Sequence, residues 1–187
     1  MNPNGAAILA NPHPCGHIVY PYTDEYQVAE AVCLFASSGL RQGQAAVLVM
    51  TADHCKPIRR RLEQEGFNLK ELERSGQLIC KDAKDLLSNF LFDGIIDEHK
   101  FKMQVGSLIE KAKASGGNGT TRQVRVFGEM VDLLWKSDVR TTQRLEELWN
   151  DVIDAHSVPL LCAYSLAGTK PTQLPDALMA CHSHAVV

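Results

Sequence analysis

The chain has 187 residues, enough for one domain, and its 45% hydrophobic content is enough to build one substantial core. Its 19 basic and 22 acidic residues leave a net charge of −3, which provides no basic face for direct nucleic-acid binding. No segment reaches the ~18 uninterrupted apolar residues that a membrane span needs. The opening MNPNGAAILANPHP has neither the basic start nor the long apolar stretch of a secretory leader. A cytoplasmic location is therefore expected. The six cysteines show no CxxC pair, and Cys33, Cys80 and Cys162 lie in apolar runs, where a thiol behaves as a small buried hydrophobe.

Residues 1–16 are expected to form an N-terminal extension and residues 17–187 a single domain. The first strand is expected at His17–Tyr20, followed by a helix from Asp24 whose Val28, Val32 and Phe35 recur at helical spacing. Asp24 and Glu25 suit a positive helix N-terminus, and Gly39 is a natural stop. A nearly continuous apolar strand, Ala45–Thr51, comes next, then a helix from about Pro57 to Gly66 that buries Ile58 and Leu62. The basic triplet Arg59, Arg60 and Arg61 is followed by Glu63 and Glu65, the pattern of a solvated helix face. Gln77–Cys80 reads as a third strand. A third helix places Phe101, Val105, Leu108, Ile109 and Ala112 on one face and ends in the Gly-rich stretch from Ser115 through Asn118 to Gly119. The remaining elements are strands at Val124–Phe127 and Pro159–Tyr164 and, between them, a helix carrying Leu145, Leu148, Trp149, Val152 and Ile153. The tail from Thr169 to Val187 contains Pro171 and Pro175 and then a short helix-like segment.

Strands alternating with helices predict an α/β fold with a mainly parallel sheet flanked by helices. In such sheets ligands bind beyond the carboxyl ends of the strands. That rule selects the stretch from Tyr20 through Tyr22 and Asp24 to Glu25, together with Thr51 to His54, Gly128 to Met130, and Tyr164 with Ser165. Thr and Asp at these places are also ordinary helix caps. A phosphate-binding loop needs glycines, a lysine and a Ser/Thr. The segment after the first strand, YPYTDEYQ, has no Gly and no Lys, and it sets two acids where a polyphosphate would sit. Walker-type ATP binding is not expected, and no cofactor is implied. No GxSxG elbow is present. Cys162 lies in an apolar strand, where its thiol would be unreactive. Glu129, at a strand end, is the acid best placed to act as a base or as an acceptor for a ligand. His13 and Cys15 near one terminus, and Cys181, His182 and His184 near the other, are weak metal candidates that lack the paired spacing of a structural zinc site.

The segments HIVYPYTDEYQ from His17, SGLRQGQAAVLVMT from Ser38, VRVFGEMVDLLW from Val124, LEELWN from Leu145, LLCAYSL from Leu160 and the closing ACHSHAVV resemble the MEDS domain. This is the sensory domain of methanogen and methylotroph regulators of the DcmR type. The resemblance runs from about His17 to Val187. It implies a degenerate RecA/KaiC-like fold without a P-loop that senses small molecules, among them hydrocarbon derivatives. Carried onto this chain, its recurrent polar positions are His17, Tyr20, Tyr22, Asp24, Thr51, His54, Glu129, Trp135 and Tyr164, as ligand-pocket candidates with no catalytic role. The chain shows no helix-turn-helix segment and no kinase motif, so its output would pass through a partner such as a histidine kinase or a transcription regulator. The alternatives are a divergent hydrolase or non-Walker ATPase using Glu129, and a metal-binding or self-assembling scaffold.

Overall fold

The computed structural model describes residues 1–117, 119–168 and 173–186; Asn118, Thr169, Pro171 and Val187 lie outside the described residues. Six strands form one sheet in the order β3-β2-β6-β7-β1-β8, and every pairing in it is parallel. They are β1 (His17–Tyr22), β2 (Ala45–Met50), β3 (Leu78–Asp82), β6 (Val124–Gly128), β7 (Leu160–Ser165) and the short edge strand β8 (His184–Ala185). A separate two-residue hairpin, β4 (Leu91–Phe92) with β5 (Ile95–Ile96), turns through Asp93 and Gly94, both with positive φ.

Side chains alternate across each strand, so the sheet feeds two cores. Val19, Val47, Val49, Val126, Leu160, Cys162 and Tyr164 face α5 (Ala83–Ser88), α6 (Glu98–Ala114), α7 (Val139–His156) and α8 (Asp176–Met179). Ile18, Tyr20, Tyr22, Leu48, Met50, Phe127 and Leu161 face α1 (Pro3–Ala10), α2 (Glu25–Arg41), α3 (Ala52–Gln64) and α4 (Leu69–Ser75). Covering both faces explains why β2 and β7 read as unbroken apolar runs. No helix of the described residues is long and apolar enough to cross a membrane.

Within residues 1–16, α1 is capped by Asn2 and buries Leu9 completely in the α2-side core. Two local expectations are revised. Helix α2 ends at Arg41, two residues past the stop expected near Gly39. Gly39 is instead the place where the buried Arg125 side chain crosses the helix, and a Cβ there would lie 2.6 Å from Arg125 Nε. The Arg125 guanidinium donates to the carbonyls of Leu9, Ala10 and Phe35 at 3.0–3.1 Å and to Gln44 Oε1 at 2.6 Å, so the C-terminal end of α1 and the body of α2 are tied to one cation. Burial pulls its pKa down to about 10. Helix α3 begins at Ala52 rather than Pro57, which brings His54 into its first turn.

Candidate functional site

Strands β2 and β6 are neighbours, as are β7 and β1, so the loops leaving their carboxyl ends lie side by side. Glu129 follows β6, and its carboxylate accepts the backbone N–H of Thr51 at 2.7 Å, across the gap to the end of β2. Thr51 is the N-cap of α3 but makes no side-chain cap bond. Its hydroxyl lies 3.4 Å from Glu129 Oε1 and 3.5 Å from His54 Nδ1. The imidazole of His54 is gripped from both sides, by Glu129 at Nδ1 and by Glu25, from the first turn of α2, at Nε2. The Tyr22 ring meets it edge-on, 5.9 Å between centroids.

The two carboxylates differ in exposure. The Glu129 side chain is 2% exposed and that of Glu25 68%. Burial opposes a charge on His54, yet the hydrogen bonds and charges of Glu129 and Glu25 outweigh it and lift its pKa to about 9. Tyr22 is pushed well above the ordinary phenol range by burial and by Asp132, Glu129 and Glu25. Asp132 is raised by its own burial, against the N–H groups of Ser165 and Trp135 that it accepts at 2.7 and 2.9 Å.

The turn between β1 and α2 is where a phosphate would meet a helix N-terminus. Here Asp24 caps that terminus by accepting the N–H of Tyr26 at 2.6 Å, and Glu25 reaches over to His54. The positive end of α2 is thus already satisfied by the chain's own acids. Cavities lie away from this cluster, among them one of about 300 Å³ at the end of β3 beside Lys81 and Asp85, one of about 200 Å³ at the opposite sheet edge beside Arg125 and Ser157, and one of about 400 Å³ beside Gly43 and Arg122.

A second polar cluster occupies the other face. Glu146 of α7 is fully buried, with His17 Nε2 3.2 Å from its Oε2, His182 Nε2 3.1 Å from its Oε1, and the Cys162 thiol donating at 3.4 Å. The Tyr164 hydroxyl donates to the same carboxylate. Burial works against the Glu146 charge, but His17 and His182 hold it well below the usual carboxylate range. Burial and the Glu146 charge push the Cys162 thiol and the Tyr164 phenol up.

The family profile described as "MEDS: MEthanogen/methylotroph, DcmR Sensory domain" matches residues 16–183. The chain belongs to the MEDS family. Among solved structures, a KaiC-like protein from the hyperthermophilic archaeon Pyrococcus horikoshii OT3 superposes with a TM-score of 0.62 at 11% identity. The match covers 93% of this chain and 70% of that one, and at this identity it bears on the fold alone. No curated protein matches. The RecA/KaiC-like fold expected from the sequence is therefore the fold observed, and the MEDS assignment makes the chain a member of a sensory-domain family.

The MEDS positions proposed as one pocket divide into two groups. Tyr22, Thr51, His54 and Glu129 meet at the carboxyl edge, with Asp24 beside them as a helix cap. Tyr20 lies one layer deeper, in the α2-side core, with its hydroxyl 3.5 Å from the Gln27 carbonyl. His17 and Tyr164 belong to the Glu146 cluster on the opposite face, and Trp135 packs edge-on against Tyr164 at 6.2 Å. Of the terminal His and Cys residues, only His182 enters a cluster of potential ligands, while His13, Cys15 and His184 are exposed and Cys181 half-buried. Sequence reasoning passed over Asp132 and Glu146 as site residues, and it placed Glu25 in the stretch after the first strand without carrying it into the ligand set. Glu146 did carry a signal: Thr142, Glu146, Trp149 and Ile153 share one helical face, and a lone acid on an apolar stripe needs a buried partner.

Proposed function

We propose that this chain is the input module of a signalling system and binds a small organic molecule at the carboxyl edge of the sheet, around Tyr22, Thr51, His54 and Glu129. The observation that carries this reading is the asymmetric grip on His54. Glu129 is buried and holds one ring nitrogen, whereas Glu25 is exposed and holds the other. A ligand bearing one oxygen acceptor, such as an alcohol, carbonyl or carboxylate, would replace Glu25 at Nε2 and leave the Glu129 bond intact. Release of Glu25 would free the first turn of α2, giving occupancy a mechanical consequence. Polyphosphates are disfavoured by the acids already present, Asp24, Glu25, Glu129 and Asp132.

Binding rather than turnover fits Glu129, because both of its oxygens are occupied by Thr51 and His54 and neither is free to take a proton from substrate. The signal would pass to a partner such as a histidine kinase or transcription regulator, with no direct contact to nucleic acid or membrane. Six free cysteines suit a reducing, cytoplasmic setting.

The test is a screen of short alcohols, ketones, aldehydes, carboxylates and halogenated alkanes by thermal shift and by amide NMR. A true ligand raises the melting temperature, moves the signals of Glu25 and His54, and loses both effects in Tyr22→Ala and Glu129→Ala. The reading is abandoned if no compound perturbs these signals and neither variant alters a partner interaction.

A further inference from the structure

The side chains of His17, Glu146, Cys162 and His182 are brought together from β1, α7, β7 and the C-terminal segment, and one potential ligand atom from each lies within 4.8 Å of all the others. We propose that these four side chains form a closed metal site of the zinc class, separate from the carboxyl-edge site and not dependent on it.

The ring orientations point to it. The Nδ1 of His182 lies 2.8 Å from the Leu178 carbonyl, which can only accept, so Nδ1 carries the proton. The Nδ1 of His17 lies 2.9 Å from Asn150 Oδ1, and the orientation of that amide is fixed because its Nδ2 donates to the Cys181 carbonyl at 3.1 Å. Each ring therefore points Nε2, the nitrogen left for a metal, toward Glu146 and Cys162. A second hydrogen bond from the far nitrogen of each ring is the usual arrangement around a metal. Were the rings neutral and no cation bound, two lone pairs would face a carboxylate at 3.1–3.2 Å in a dry interior.

An imidazolium at each histidine would instead pair with the Glu146 charge, most strongly where its Nε2–H donates a hydrogen bond to the carboxylate. His182 Nε2 makes none: it is buried and unpartnered, although Glu146 Oε1 lies 3.1 Å away. A metal does not require the N–H line. Ligands at ~2.0–2.3 Å in a tetrahedron stand roughly 3.3–3.7 Å apart. His17 Nε2 and the Cys162 sulfur stand 3.2 and 3.4 Å from Glu146 Oε2 and 3.5 Å from each other, His182 Nε2 stands 3.1 Å from Oε1, and one donor from each of the four lies within 4.8 Å of the rest, so the set is near that size and closes with a small shift of His182. Two imidazoles with a thiolate favour zinc over magnesium or calcium, and four protein ligands without an open position favour a structural role. On binding, the Cys162 thiol would release its proton to solvent and coordinate as thiolate. The metal would fasten the C-terminal segment, through His182, to the core.

The full chain, purified without chelator from zinc-supplemented cells, is assayed for bound metal, then stripped and titrated with cobalt(II), whose thiolate complexes have a charge-transfer band in the near ultraviolet. Zinc stoichiometric with the chain is expected, with a cobalt–thiolate band that Cys162→Ser abolishes. Asn150→Ala keeps all four ligands but frees the His17 ring, and should weaken zinc binding by roughly 10–100-fold. Folded, cooperatively melting protein that holds metal far below stoichiometry and gives no cobalt–thiolate band overturns the proposal. So does a band that survives Cys162→Ser. If Cys162→Ser does not fold, the unmodified chain's metal content and cobalt spectrum decide the matter alone.

Discussion

Glu129 and Thr51, 78 residues apart in sequence, are joined by a 2.7 Å hydrogen bond from the Thr51 backbone to the Glu129 carboxylate. The bond ties the end of β6 to the first turn of α3, and the same carboxylate holds His54 in place. One buried side chain therefore fixes the end of β2, the first turn of α3 and the His54 ring relative to β6.

Replacing that acid should loosen the edge more than the fold. Glu129→Gln keeps the shape but loses the charge that His54 needs, and should destabilise the protein by about 1–3 kcal/mol. Glu129→Leu should cost more, because the Thr51 amide then loses its acceptor. Urea denaturation midpoints compare the variants with the unmodified chain.

The protonation of His54 makes stability depend on pH. Its folded pKa of about 9 lies above the ordinary value of 6.5, so the folded state binds the proton more tightly than the unfolded state does. The resulting stabilisation is complete below about pH 6.5 and is lost as the pH rises through about 9. Solvent reaches the Glu25 side of the pair, so the contribution is on the order of 1–2 kcal/mol after screening. Denaturation from pH 6 to pH 10 with NMR titration of the His54 ring provides the measurement, and Glu25→Gln should move the alkaline limb toward neutral pH. A flat profile over this range would contradict the assignment.

Gly39 should not tolerate alanine. The added Cβ would stand 2.6 Å from Arg125 Nε and 2.7 Å from its Cδ, and the guanidinium is held by four acceptors and cannot step aside. A loss of about 1–3 kcal/mol is expected, although alanine is the better helix former. An unchanged or raised melting temperature for Gly39→Ala would show that Arg125 is free to move.

Helix α1 should behave as part of the domain. Leu9 is wholly buried, and the carbonyls of Leu9 and Ala10 are acceptors for Arg125. Leu9→Ala should cost about 2–5 kcal/mol. Deletion of residues 1–11 should cost more, since it also strips two acceptors from a buried cation. Calorimetric unfolding of both variants checks this.

The amino-acid sequence by itself determined the alternation of strands and helices, the two-faced burial of β2 and β7, and the absence of phosphate-binding machinery after β1. These are local signals: apolar periodicity and the Gly, Lys and Ser/Thr of a phosphate loop can all be read within a few neighbouring residues. The start of α3 escaped because Pro57 resembles a first-turn proline, while Thr51, the real cap, spends its hydroxyl on Glu129 and His54. The end of α2 escaped because Gly39 serves as room for Arg125, on a strand 86 positions later, and not as a helix stop.

Only the tertiary structure decided how the polar residues group. Successive residues of a strand point to opposite faces, so His17 and Tyr20, close in sequence, enter different cores. Glu146, Cys162 and His182 meet His17 across separations of up to 165 sequence positions around the sheet, and no spacing along the chain encodes such a meeting. Composition could require that a buried acid find a partner. The packing of α7 and the C-terminal segment against β7 and β1 chose which one.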